Sequence, residues 1–175
     1  MYGVCADINN VEYRQVNLEA DFSLNAEKVL AAADKNTKVV FLCSPNNPTG
    51  NLLNTTEIEK ILKGFDGIVV IDEAYIDFSD KASWISKLNK YPQMVILQTF
   101  SKAWGLAAAR CGMAFASEEI ISFFNKVKYP YNINILTQKL ILEKLEQVEM
   151  KNNWVKEILS QRTLMIEELE QLSIV

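Results

Sequence analysis

Short apolar runs exchange with amphipathic stretches along most of this chain, the pattern expected of βαβ units built around a parallel sheet. Val39 to Cys43 (VVFLC), Ile68 to Asp72 (IVVID), Met94 to Gln98 (MVILQ) and Met113 to Ala116 (MAFA) have the continuous apolar character of strands covered on both faces. Tyr13 to Asn17 gives a weaker strand signal, suited to a sheet edge. Between the first two runs, Asn54 followed by Glu57 has the form of a capping box. Ile58, Ile61, Leu62 and Phe65 then recur at helical spacing before Gly64 and Gly67, which predicts a helix over about Thr55 to Lys63. Asn25 to Ala33 reads as a helix capped by Asn25, and Ser117 with Glu118 and Glu119 opens another near Ile120 to Lys126. From about Leu136 to Leu172 the pattern is helical, with a break expected near Asn152 and Asn153. Beyond it, Val155, Ile158, Leu159, Met165, Ile166, Leu169 and Leu172 form one apolar stripe. The first residues, Met1 to Gly3, lead into no evident element, and no Gly or Pro closes the last helix; both ends read as cuts in a longer protein.

Composition narrows the partners. The 175 residues are 49% hydrophobic and 23% charged, enough apolar content for one ordinary core and a water-facing surface. A net charge of -4, with no basic stripe, argues against a nucleic-acid partner. No apolar run approaches the roughly 20 residues that span a bilayer, and no leader pattern is visible, so the expectation is a cytoplasmic protein without a membrane partner. Cys5, Cys43 and Cys111 lie far apart in or beside apolar stretches, which predicts reduced, buried thiols. The chain contains no histidine. That removes the usual general base and the usual zinc ligand, and no other metal constellation is present, so acid and base work falls to Lys, Tyr or a carboxylate.

Three polar motifs follow apolar runs, where an α/β sheet offers its strand ends to a ligand. In Ser44 to Gly50 (SPNNPTG), the prolines, asparagines and glycine suffice for a plain turn, yet the same turn would present the Asn47 amide at the strand end. In Ile71 to Tyr75 (IDEAY), Asp72 could be a solvated carboxylate or a helix cap. At the end of a buried strand, however, an anion calls for a cation or hydrogen-bond donors, and Tyr75 could aim its phenol at the same place. In Thr99 to Arg110 (TFSKAWGLAAAR), Lys102 could be a surface charge and Arg110 an ion-pair partner. Singly each motif is weak; their order and shared address are restrictive.

Together these residues resemble the fold-type I aminotransferases that use pyridoxal 5'-phosphate, whose large domain carries NPTG, D-x-A-Y and S-K-x(7)-R motifs in this order. SPNNPTGN, VVIDEAYIDF, TFSKAWGLAAARCG and KVKYPYNIN are most similar to the histidinol-phosphate branch of that family, and the likeness runs through nearly the whole chain. The resemblance implies a three-layer α/β/α large domain with a mostly parallel sheet, truncated at both ends. Residues 1–150 would form part of the cofactor-binding domain, and 151–175 a long helix leading toward a small C-terminal domain. It implies that Lys102 condenses with the cofactor aldehyde and then moves the substrate proton, and that Asp72 pairs with the ring nitrogen. Asn47 and Tyr75 would bind the phenolic oxygen, and Arg110, Ser101 and Thr99 the phosphate. Lys102, Asp72 and Tyr75 would thus carry the chemistry.

The implied partners are an amino donor and a 2-oxo acid, L-histidinol phosphate and 2-oxoglutarate, in a homodimer serving histidine biosynthesis. Other aminotransferases, a threonine-phosphate decarboxylase and a cofactor-sensing regulatory domain share these motifs. The family's glycine-rich phosphate turn and ring-stacking aromatic would precede Met1, and its substrate-carboxylate arginine would follow Val175. Ala108 and Ala109 stand where many relatives have Gly and Leu. Tyr129, Tyr131 or Asn132 could line the substrate side, or simply belong to a turn.

Overall fold

In a computed structural model, which describes residues 2–172, the four apolar runs become four strands of one sheet. β1 (Val39–Cys43), β2 (Ile68–Asp72), β3 (Met94–Thr99) and β4 (Gly112–Phe115) lie side by side in chain order. The first three are parallel, and β4 runs antiparallel to β3. Parallel neighbours need a crossover. α3 (Thr55–Gly64) supplies it between β1 and β2, and two 3₁₀ segments, Ile76–Phe78 and Trp84–Lys90, supply it between β2 and β3. The register pairs Cys43 with Asp72, Asp72 with Leu97 and Thr99 with Gly112, so the carboxyl ends of three strands and the start of the fourth share one edge.

Alternation along the strands divides the core. Leu42, Val69, Ile71, Met94 and Ile96 face α3 and α2 (Ala26–Ala32), where they pack with Ala26, Ile58, Ile61, Leu62, Phe65 and Trp84. The opposite face carries Phe41, Val70, Val95 and Asp72. Gly67 lets the chain enter β2 beside β1, since a Cβ there would stand 2.8 Å from the Lys38 carbonyl oxygen. Ile71 has no exposed surface. Ile71→Ala is therefore expected to cost about 2–5 kcal/mol, as read by denaturant unfolding of the full-length protein.

Local signals held at most helix starts. Asn25 and Ser117 cap α2 and α4 (Glu118–Val127) through Lys28 N and Ile120 N. The Asn54 cap forms too, to Thr56 N, but Glu57 does not close a capping box. Its carboxylate instead accepts from Ala26 N at 2.9 Å, tying α3 to the start of α2.

Four expectations need correction. A first element does exist: α1 (Tyr2–Ile8) has no buried residue, and Tyr2 joins it to the second sheet face by stacking on Phe41 with ring centroids 4.8 Å apart. Tyr13 to Asn17 finds no ladder partner among the described residues, and Arg14 bonds instead to the Ala32 carbonyl and the Asp34 carboxylate. The break in the final helical region falls at Glu146 and Gln147, between α5 (Ile135–Leu145) and α6 (Val148–Gln171). Asn152 and Asn153 lie inside α6, because their modest helix penalty is outweighed by neighbours that pack, buried Val155 and the Lys151–Asp77 pair at 2.6 Å. Finally, the thiols are free but not in the core: Cys5 is exposed, and Cys43 and Cys111 are half-buried.

Candidate functional site

The three motifs meet at the carboxyl edge of the sheet. After β1 the backbone turns at once: Ser44 N donates to the Asp72 carbonyl, and buried Ser44 Oγ accepts from Leu53 N at 3.1 Å. Gly50 N returns to the Asn46 carbonyl at 2.7 Å, with Gly50 at φ +75°, which a side chain would strain. This closed turn aims Asn47 at the neighbouring loop, where its Nδ2 donates to Tyr75 Oη at 3.2 Å.

Asp72 is the last residue of β2, and its Oδ1 accepts from Ala74 N at 3.0 Å. The following turn carries Tyr75 three residues on. Lys102 sits in the loop after β3, exposed between buried Phe100 and Ala103, and Leu106 N→Phe100 O and Gly105 N→Lys102 O bonds fold that loop tightly. Its Nζ lies 5.0 Å from the Tyr75 ring centroid. One lysine, one phenol and one amide thus converge from three loops.

Because β4 starts opposite the end of β3, with Gly112 beside Thr99, the loop between them keeps Arg110 at the same edge. Arg110 adopts a left-handed conformation (φ 50°, ψ 44°) and donates to the Ala107 carbonyl at 3.0 Å. No carboxylate pairs with it among the described residues, so the ion-pair alternative is not realised there. Thr99 Oγ1 is engaged within the loop, accepting from Ser101 N at 3.1 Å and donating to the Cys111 carbonyl at 3.4 Å. Ser101 is half-buried two residues beyond it. Tyr129 and Tyr131 are 84% and 99% exposed, away from this cluster's groove.

The family model for aminotransferase class I and II matches residues 1–174. The chain belongs to the class I and II aminotransferase family. A curated relative, the histidinol-phosphate aminotransferase of Bacteroides thetaiotaomicron, is 56% identical over 173 residues, covering 99% of this chain and 50% of the relative. The chain therefore spans about half the length of the curated relatives it matches. The histidinol-phosphate aminotransferase of Clostridium acetobutylicum superposes with a TM-score of 0.84 at 23% identity, over 97% of this chain and 52% of that one. That of Sinorhizobium meliloti, solved in complex with pyridoxal-5'-phosphate, gives 0.84 at 23% identity, over 93% and 45%. These two likenesses establish the fold.

Three residues around this cluster escaped the sequence reading. Tyr2 Oη donates to Asp72 Oδ2 at 2.5 Å. Burial, then the adjacent carboxylate, hold its phenol above the ordinary tyrosine range, so it stays a donor. Burial likewise pushes the Cys43 thiol up. Lys151 of α6 pairs with Asp77 and stands 5.4 Å from the Trp104 ring, linking the Tyr75 turn to the Lys102 loop. Glu73, between Asp72 and Tyr75, is 1% exposed. Its position in IDEAY was the available signal, since a carboxylate directly after a buried strand must find donors. Beside the cluster lies an open groove of about 650 Å³, where Asn47, Tyr75 and Phe78 face Ile158, Leu159 and Arg162 of α6.

Proposed function

We propose that this chain is the cofactor-binding part of a pyridoxal 5'-phosphate-dependent aminotransferase that moves the amino group of L-histidinol phosphate to 2-oxoglutarate. The observation that carries the reading is the meeting of Asn47, Tyr75 and Lys102 at the edge where Asp72 ends β2. Pyridoxal phosphate, when bound, supplies an aldehyde that takes up an amino group and a protonated ring that withdraws electrons from the carbon losing its proton.

The residues present fit that group. The Asp72 carboxylate already accepts from Tyr2 and Ala74, yet two oxygens offer about four acceptor positions, leaving room for a protonated ring nitrogen. Asn47 Nδ2 and Tyr75 Oη are donors suited to the ring's phenolic oxygen, and their mutual bond holds both in place. Lys102 Nζ is the one lysine amine beside Tyr75 among the described cation–ring contacts. Its amine would hold the cofactor aldehyde and would serve as the base for the proton at substrate Cα. Arg110 and Ser101 offer a guanidinium and a hydroxyl to the phosphate, with Thr99 shaping their loop. Residues 1–150 belong to this cofactor domain, and 151–175 lead toward a second one. The reading includes a homodimer and a cytoplasmic setting; among the described residues no helix is long and apolar enough to cross a membrane.

The substrate assignment is supported by the names of the relatives that match nearly the whole chain. Its test is a single-turnover comparison in the full-length protein, following conversion of the cofactor to its amine form with histidinol phosphate, phenylalanine and threonine phosphate. Histidinol phosphate is expected to react fastest. Faster conversion by phenylalanine, or carbon dioxide release from threonine phosphate, would overturn the substrate while leaving the family intact.

A further inference from the structure

Glu73 is among the largest side chains with almost no exposure, and it is the charged one in that set. A buried carboxylate is costly unless its lone pairs are filled. Here three donors occupy most of them. Ser83 Oγ donates at 2.5 Å, Trp84 N at 2.8 Å and Gln98 Nε2 at 2.9 Å. Ser83 also caps the 3₁₀ segment Trp84–Lys90 through Ile85 N, and Gln98 reaches Ser83 Oγ at 3.3 Å. The backbone of Glu73 is equally committed: its N–H donates to the Leu97 carbonyl at 2.8 Å, and its carbonyl accepts from Ile76 N at 3.1 Å. The residue is pinned to β3 by main chain and side chain together, and the turn bearing Tyr75 starts from it.

We infer that Glu73 is a positioning residue, whose buried bonds to Ser83, Trp84 and Gln98 set Asp72 and Tyr75 at their relative places. The inference rests on the reading of Asp72 and Tyr75 as ring contacts. Asp72 and Tyr75 flank Glu73 in a turn closed by Ile76 N→Glu73 O, Phe78 N→Tyr75 O and Ser79 N→Ile76 O bonds. The side chain of Tyr75 has one hydrogen bond of its own, from Asn47 across the groove. The turn therefore sets where the phenol meets Asn47. Asp72, Asp77 and Lys102 near Tyr75, and Asp80 and Arg162 in the same groove, are the charged groups around it, and none of them bonds to Glu73. A change at Glu73 acts on the site through backbone placement.

The test is Glu73→Gln in the full-length protein, alone and with Gln98→Glu, which exchanges the two groups so that the carboxylate stands on β3 beside Ser83 and the amide at position 73 becomes its donor. In the cofactor-free protein, amide hydrogen exchange at Ile76, Phe78 and Ser79 is expected to rise in E73Q and return toward the unsubstituted level in the double variant. With cofactor bound, the protonation midpoint of its visible absorbance should rise by about half a unit or more, because a displaced Tyr75 no longer stabilises the phenolic anion. kcat should fall about tenfold with KM for the amino donor nearly unchanged, since proton transfer depends on orientation.

Ser83→Ala, which removes one donor of three, should give the same shifts at smaller size, and serves if E73Q does not fold. A lowered thermal midpoint with unchanged absorbance midpoint and unchanged kcat would reduce Glu73 to a structural residue and overturn the inference. So would failure of the double variant to recover. Absence of any cofactor absorbance in the unsubstituted protein would instead overturn the cofactor reading itself.

Discussion

Lys102→Ala in the full-length protein is expected to abolish transamination, a loss of at least about 10⁴-fold, the upper end of what a positioned proton-transfer group supplies. The loss exceeds that of an ordinary acid–base residue because the same amine is assigned two tasks, holding the cofactor aldehyde and carrying the substrate proton. Its placement leaves few substitutes. Lys102 is exposed on a loop anchored on either side by buried Phe100 and Ala103, with its ammonium facing the Tyr75 ring. Lys151, a second cation packed near this loop, is already paired with Asp77 and cannot replace it without uncovering that carboxylate. The visible absorbance that borohydride fixes to the chain should vanish with the lysine, while the cofactor remains held noncovalently. Retained turnover, or borohydride labelling elsewhere in the chain, would refute the assignment.

Asp72→Asn is expected to lower the rate of the half-reaction by about 10²–10³-fold, the scale for removing one electrostatic group aimed at developing charge. The amide keeps the shape and can still accept from Ala74 N, so the turn should persist. What it loses is the negative charge that favours a protonated ring nitrogen. Tyr2 sharpens the expectation: its hydroxyl holds one carboxylate oxygen and leaves the carboxylate a single orientation relative to the sheet edge. Cofactor affinity should change far less than rate, because Arg110 and Ser101 are assigned the phosphate. Rapid single-turnover measurement with histidinol phosphate checks this, alongside equilibrium binding of the cofactor. A rate within about threefold of the unsubstituted protein, under 1 kcal/mol in barrier, would remove Asp72 from the chemistry.

The two expectations draw on different parts of the molecule. Lys102, Asp72, Asn47 and Tyr75 were legible as candidates because each directly or closely follows a strand whose apolar run is visible. The strand-end rule then converts sequence position into spatial address. The address of Arg110 is less direct. It lies eight residues past Lys102, and it stays at the same edge only because β4 is antiparallel and starts at Gly112, opposite Thr99.

Supporting residues were less legible for a physical reason. Tyr2 acts across 70 positions of sequence, and Lys151 across 74. Neither has a local pattern that marks it. Glu57 shows the same effect in miniature, since the local motif offers its carboxylate to its own helix start and the packed structure gives it to Ala26 of another helix. Asn152 and Asn153 show the reverse, a local break signal overridden by the contacts of Lys151 and Val155.

By itself, the sequence determined the four strands of the sheet, most of the helices beside them with their caps, and the candidate site side chains, because these depend on periodicity and on what lies within a few residues. Tertiary structure alone decided the strand order, the direction of β4 and the bonds that aim Asp72 and Tyr75, because those depend on which distant groups remain to satisfy a buried donor or acceptor.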